Sequence, residues 1–350
     1  MINPIFLRKL TEKDVVHGYG LVLPLSKIDR IPGVLLAPMN IMTQNTIDEH
    51  GRIVENDRLT HDQNYKCGSG TLVNIRVYKE NLLPCRFGAC LKRLINWTVT
   101  ARKKFPGKTI LFSKMYYKLA YRRCHLNADT EIQAWTQIPE EDLAIVALRL
   151  TFGGAPGPYE WLVLSDYICD FSIAIMQDAG WDTNLLCATN IHIVPPPLFM
   201  GDFIPFAEVQ DLIIDVPVDA RGTADVYTDG TIALTVDVED SNSVQQIEQA
   251  TILTINCAAR EIHNDEPIPR EEIAARAKLL AEAGAEEIKI FLGWILNFRT
   301  FTIALPKNKY VAWKVAILEI LDTELEQMIG RLVHLGIVLP SINHFMSRSA

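Results

Sequence analysis

Val226-Tyr227-Thr228-Asp229-Gly230-Thr231 lies inside the stretch that decides the fold. Two strand-like runs, residues 224–229 and 232–238, flank Gly230, and Asp229-Gly230 predicts the tight turn of a hairpin. Downstream, Ser243 with Gln246 three residues later predicts a capped helix running to about His263. Pro269 opens a second helix over residues 270–283, which Gly284 stops. Residues 288–292 and 300–305 read as a strand pair, and 309–321 and 324–335 as amphipathic helices. Upstream, residues 161–176 carry apolar side chains at helical spacing, and residues 152–158 form a Gly/Pro loop before them. Residues 109–115 read as a strand and 117–123 as a helical turn. The segment 82–104 is expected to contain a basic amphipathic helix, ended near Pro106-Gly107. Residues 1–75 are loop-rich with short strands, and Asp48-Glu49-His50-Gly51 and Cys67-Gly68-Ser69-Gly70 mark turns. The prolines at 195–197, 205 and 217 break any pattern over residues 180–222, which predicts a long surface insertion. Strands come in pairs rather than βαβ units, so the expected class is α+β.

Composition bounds the function. The chain has 350 residues, 49% hydrophobic and 22% charged, enough for a large core. The sequence has no apolar run of membrane-spanning length and no secretory leader, and its scattered cysteines form no CxxC pair. The expectation is an intracellular protein, nuclear or cytoplasmic, with reduced thiols and no membrane partner. The net charge of −8 is unevenly spread. Residues 76–123 hold 13 Lys/Arg and one acid, whereas residues 124–266 hold 3 Lys/Arg and 24 Asp/Glu. The basic segment, interleaved with Trp97, Phe105, Tyr116, Tyr117 and Tyr121, suits a polyanion. The alternative is that the two segments neutralise one another inside one fold. Pro106-Gly107-Lys108-Thr109 ends like a phosphate-binding loop, but Arg102 stands where that loop needs glycine.

Four segments fall in an informative order: residues 114–122 at a strand end; Phe152-Gly153-Gly154-Ala155-Pro156-Gly157-Pro158 entering a helix; the hairpin around Asp229; and Phe291-Leu292-Gly293-Trp294. This order resembles the palm of reverse transcriptases, RNA-directed DNA polymerases of the retrotransposon type. The resemblance runs from about residue 50 to 348 and implies a fingers–palm–thumb polymerase fold. Its antiparallel palm sheet would be backed by the Trp161 and Ser243 helices. It implies an N-terminal segment and fingers over 1–108, a palm over 109–290 with an insertion at 180–222, and primer-grip strands with a helical thumb or connection over 291–350. Residues 57–62 with Gly70 and Val73-Asn74 look like the fingers strand pair, whose arginine, matched by Arg58, contacts the incoming triphosphate. Tyr121, five positions after Tyr116, matches the aromatic residue that senses the sugar. Phe152, Gly153 and Tyr227 fall at substrate-binding positions. Phe291, Leu292 and Gly293 match the strands that grip the primer end. Lys92, Arg93, Lys103 and Lys104 would hold the template backbone.

The implied activity is template-directed DNA synthesis from a primer on RNA or DNA, with deoxynucleoside triphosphates and magnesium or manganese. Nucleotidyl transfer uses two divalent ions about 4 Å apart, held by carboxylates. Here Tyr116 stands at the first catalytic aspartate position and Gly230 at the second position of the hairpin pair. Only Asp229 remains, with Asp225 as a further ligand on the same strand face. A phenol with a pKa near 10 is a poor magnesium ligand at neutral pH. The expectation is therefore a catalytically impaired copy, or else a non-catalytic nucleic-acid-binding or assembly protein on the same scaffold. The resemblance leaves ribonuclease H, integrase and protease segments to be supplied elsewhere by other retroelement domains, or else this chain is a fragment of a longer product.

Overall fold

The computed structural model describes residues 4–66, 72–127, 135–178, 180–182, 194–201, 204–209, 216–238, 243–259, 265, 267–269 and 271–320. It is an α+β structure in which β2 with β6 is the one parallel pair among the described named strands (β2 Leu36–Ala37, β6 Trp135–Ile138). The central sheet joins β5 (Ile110–Tyr116), β9 (Gly230–Val236) and β8 (Thr223–Tyr227), in the order β5-β9-β8. β9 lies in the middle and is buried along its whole length, as its unbroken Thr231-Ile232-Ala233-Leu234 run requires.

The hairpin forms, but its turn is Thr228-Asp229 rather than Asp229-Gly230. Gly230 belongs to the ladder, opposite Tyr116 on one side and Tyr227 on the other. Thr228 takes a left-handed φ of 54° in its place.

Side chains alternate across β5 and feed two cores. Leu111 and Met115 join Trp161 and Ile168 of α3 (Gly157–Gln177) and Ile247 and Ile255 of α4 (Ser243–Ala259). Ile110 and Phe112 join Leu91, Leu94 and Trp97 of α2 (Cys90–Lys104) and Phe291, Trp294 and Leu296 of a second sheet. That sheet is β10 (Ile288–Phe291), β11 (Trp294–Asn297) and β12 (Thr302–Ala304), where the sequence predicts one strand pair. Leu292 and Gly293, both at positive φ, make the tight turn from β10 to β11. A four-residue strand that short gives no periodic signal.

The N-terminal region is more regular than its composition suggests. α1 (Pro4–Val16) buries Leu7 and Thr11, too narrow a stripe to read as an amphipathic helix. β1 (Gly20–Pro24) pairs with β7 (Leu143–Ala147), and β7 with β6. Residues 135–147 therefore share a sheet with the N-terminal segment rather than with the central sheet. β3 (Met39–Ile47) and β4 (Ile53–His61) form a long hairpin around the Asp48 turn, where Asp48 Oδ1 accepts the N–H groups of His50 and Arg52 at 2.9 Å. β4, which carries Arg58, pairs with β3, and the described residues 72–74 form no strand with it. Asn74 instead sits in a short 3₁₀ turn and donates to the Gly153 carbonyl at 2.9 Å. The Cys67-Gly68-Ser69-Gly70 turn and the helix over 324–335 lie outside the described residues.

Two predicted helices are shorter in the fold. The 270–283 helix reduces to α5 (Arg276–Glu282), because residues 273–275 run beside the end of β5. The Lys118 N–H donates to the Ile273 carbonyl at 2.5 Å, and the Ala275 N–H to the Tyr116 carbonyl at 2.9 Å. The turn over 117–123 reduces to one 3₁₀ turn, Ala120–Arg123. The final described helix is α6 (Lys307–Ile320). The described parts of the 180–222 insertion are tied down. Arg299, ion-paired with the fully buried Glu287 at 2.7 Å, donates to the carbonyls of Met200 and Ile204, both at 3.1 Å.

Candidate active-site cleft

The open end of the central sheet faces a cleft of about 900 Å³. It gathers residues from segments far apart in sequence: Arg58 of β4, Tyr116 and Tyr117 from the end of β5, Tyr121, Phe152, Asp229 of the hairpin turn, and Lys278 and Glu282 of α5. Arg58 lies over the Phe152 ring, 5.8 Å from its centroid, and Tyr121 packs on the same ring at 5.2 Å. Burial pushes the Tyr121 hydroxyl up to about 12, with Asp229 and Cys85 adding to the shift.

The turn that carries Asp229 is held from two sides. The Tyr117 N–H donates to the Asp229 carbonyl at 2.8 Å, and the fully buried Trp161 donates its indole N–H to the Thr228 carbonyl at 2.5 Å. The Tyr117 ring meets Trp161 edge-on at 5.1 Å, and its hydroxyl bonds Thr231. The Trp161 contact explains why an aromatic residue follows Pro158 by three positions. Sequence reading marks the residue but not its task.

Gly153 sits behind Phe152 rather than in the main cleft. Its φ is +106°, and a Cβ there would stand 1.9 Å from the His61 carbonyl oxygen. The glycine is needed because the end of β4 crosses directly over it, with the His61 N–H bonding the Phe152 carbonyl at 3.0 Å.

Asp225 is not brought together with Asp229. Arg93 holds it in a two-pronged pair, with Nε at 2.7 Å and Nη2 at 2.6 Å, in a separate cavity between α2, α3 and β8. Arg93 is thereby engaged within the fold. Lys104 donates to the Val218 carbonyl at 2.7 Å, Lys92 is exposed and Lys103 half-buried, and none of these four lines the cleft. Tyr227 packs edge-on against Phe291 at 6.2 Å, on the side of the sheet that faces α2. Phe291 is a core residue, while Leu292 and Gly293, both partly buried, form the turn of their hairpin. Other basic residues of the 76–123 segment also bond internally: Lys114 to Glu282 at 2.7 Å, Lys118 to Glu271 at 3.2 Å, and Arg122 to Asp14 at 2.7 Å.

The residues at the sheet end do not fit a pair of divalent ions. Tyr116 and Gly230 face each other in register, and a Cβ at 230 would come 3.3 Å from the Tyr116 ring. The ring fills the space that a second hairpin carboxylate would need. Burial, with Glu282 and Asp229 nearby, pushes the Tyr116 hydroxyl well above its ordinary value, so it stays a neutral phenol. No group of three or more His, Cys, Asp or Glu side chains among the described residues is placed to hold a metal ion. No described helix is long and apolar enough to cross a membrane.

Lys278 is the site residue that sequence reading misses. Its ammonium lies over the Tyr116 ring, 3.8 Å from the centroid. It belongs to no motif, and only the packing of α5 against the end of β5 brings it there.

No family model matches the chain, and no curated protein matches it. Among solved structures it is similar to a foamy viral protease-reverse transcriptase dRH in complex with double-stranded DNA, at 12% identity and a TM-score of 0.49 over 86% of this chain and 35% of that one. It is similar to a foamy viral protease-reverse transcriptase in complex with an RNA/DNA hybrid, at 10% identity and 0.46 over 88% of this chain and 28% of that one. A third, in complex with double-stranded DNA, has 11% identity and 0.43 over 86% of this chain and 41% of that one. The chain thus spans less than half the length of each of these chains.

Proposed function

We propose that this chain is a nucleic-acid-binding domain built on a reverse-transcriptase polymerase scaffold of retroelement type, which seats a template–primer duplex and does not transfer nucleotides. The supporting observation is convergence. Arg58, Tyr121, Phe152 and Asp229 come from separate segments of the motif order, and all line one cleft at the end of one antiparallel sheet. In this reading the central sheet is the palm, the β3–β4 hairpin belongs to the fingers, and β10–β12 form the primer grip.

The chemistry argues for binding without transfer. In-line displacement at phosphorus needs the attacking and leaving oxygens clamped by cations that carboxylates position. Asp229 is the single carboxylate at the three expected positions. Magnesium and deoxynucleoside triphosphates are thus not part of the proposed activity. Arg58, Tyr121 and Phe152 retain a cationic and aromatic wall suited to a nucleotide's phosphate and sugar.

The test combines binding and extension. Fluorescence anisotropy with a labelled RNA–DNA primer-template is expected to show binding in EDTA. Primer extension with magnesium is expected to yield no product. Product from the unaltered chain overturns the non-catalytic reading, and loss of duplex binding overturns the scaffold reading. Extension by a Tyr116→Asp/Gly230→Asp variant would support the polymerase alignment directly. A second reading, a protein-interaction module with self-neutralised charge, draws on the internal Arg93–Asp225 pair. It predicts weak binding that salt barely changes.

A further inference from the structure

Lys278 sits where carboxylates, an aromatic face and a glycine meet. The Tyr116 ring is seated against Gly230, beside the Asp229 turn, and the Lys278 ammonium caps it at 3.8 Å from the centroid. Lys114 approaches the same ring at 5.4 Å and pairs with Glu282 at 2.7 Å. Asp229, Glu282 and Lys278 all line the one cleft. An ammonium on an aromatic face is attracted by the ring quadrupole, and carboxylates on its flanks add Coulomb attraction. The Tyr116 face of the cleft that Asp229 and Glu282 line is thus already occupied by a positive charge on a covalent tether.

We infer that Lys278, seated on the Tyr116 ring, is a resident cation of this cleft and stands in for a divalent metal ion at the end of the central sheet. Burial pulls the Lys278 ammonium below its ordinary value, and Asp229 and Glu282 work against that shift. The consequence is a cleft whose carboxylates are compensated without metal, and from which a divalent ion is repelled by like charge. This rests on the non-catalytic reading above only in that both remove magnesium from the site. Nothing in it depends on nucleic acid.

The test is a manganese titration of the full chain, in which free Mn²⁺ is followed by electron paramagnetic resonance without nucleic acid. With Lys278 intact, Asp229→Asn is expected to leave the Mn²⁺ isotherm unchanged. Lys278→Gln and Lys278→Met are each expected to gain one site with a Kd of about 1 mM or tighter, and Asp229→Asn is expected to abolish that gain. The methionine keeps a flexible stem and a sulfur contact on the Tyr116 ring, so it guards against simple loss of packing. A Mn²⁺ site in the unaltered chain that Asp229→Asn removes would overturn the inference. So would folded Lys278→Gln and Lys278→Met variants that gain none. If neither variant folds, the comparison of the unaltered chain with Asp229→Asn still decides. Duplex binding in EDTA is measured separately, so loss of that property would sink the proposed function and leave the manganese result standing.

Discussion

A Cβ at position 230 would stand 3.3 Å from the Tyr116 ring, which makes Tyr116 and Gly230 one structural unit. Gly230→Ala alone is expected to cost about 1–3 kcal/mol, because the ring has little room to withdraw. Combined with Tyr116→Ala, much of that cost should vanish. A double-mutant cycle by urea denaturation should return a coupling of about 0.5–3 kcal/mol, and an additive result would show that the ring does not rest on the glycine. Two buried titrating residues act in opposite directions on stability. Glu248 accepts the Ala285 N–H at 2.9 Å, and burial pushes its carboxyl from an ordinary 4.5 to about 8. The native state therefore keeps a proton that the unfolded chain releases, and this contribution is full below about pH 4.5 and lost as pH rises to about 8. His61 is the reverse case, since burial lowers it from 6.5 to about 3 and stability is lost as pH falls across that window. Denaturation midpoints against pH should show both limbs. Glu248→Gln should flatten the alkaline limb alone, and an unchanged alkaline limb would exclude Glu248 as its cause.

At the scale of elements, the Asp229 hairpin depends on a helix that is distant in sequence. Trp161→Phe keeps the apolar bulk of α3 but removes the donor to the Thr228 carbonyl. A loss of about 0.5–1.5 kcal/mol is expected. Hydrogen exchange should quicken at the Tyr117 amide, which bonds the Asp229 carbonyl, more than at amides of α2. Uniform quickening would place the effect in global stability rather than in the turn. The junction of β4 with the Gly/Pro loop is less tolerant. Gly153→Ala combines a positive φ with a backbone collision at 1.9 Å. It is expected to cost at least about 2 kcal/mol, read as a fall in Tm; a shift near zero would mean that β4 does not press on the loop.

At the scale of the whole molecule, part of the basic segment's charge is met within the fold, mostly by carboxylates outside the acidic segment. Arg93, Lys114, Lys118 and Arg122 of the basic segment all meet carboxylates inside the fold. The proposed duplex binding should therefore engage few phosphates. The slope of log K against log salt is expected between about −2 and −4, a small footprint at about 0.9 per phosphate. A slope near −10 would show that the segment is released to meet the backbone, and a flat line would favour the protein-interaction reading.

The sequence by itself determined the pieces whose signals are local. Hydrophobic spacing placed α3, Ser243 with Gln246 placed the start of α4 although the Ser243 hydroxyl donates to the Val236 carbonyl, and a glycine between two apolar runs placed the β8–β9 hairpin. Three of the four short motifs also named part of the cleft's wall, because each keeps its residue types wherever the chain carries it. Only the tertiary structure decided the rest. Gly230 left the turn and entered the ladder because Tyr116 lies across from it. Residues 273–275 left their helix because the end of β5 offered backbone partners. Arg93 and Asp225, each a candidate contact when read alone, were taken up by one another. Lys278 reached the Tyr116 ring through the packing of α5. Each of these is set by contacts between segments far apart in the chain, which no local pattern encodes. That is why the sequence could mark Tyr116, Asp229 and Gly230, and only the fold could show that the Tyr116 ring rests against Gly230 under Lys278.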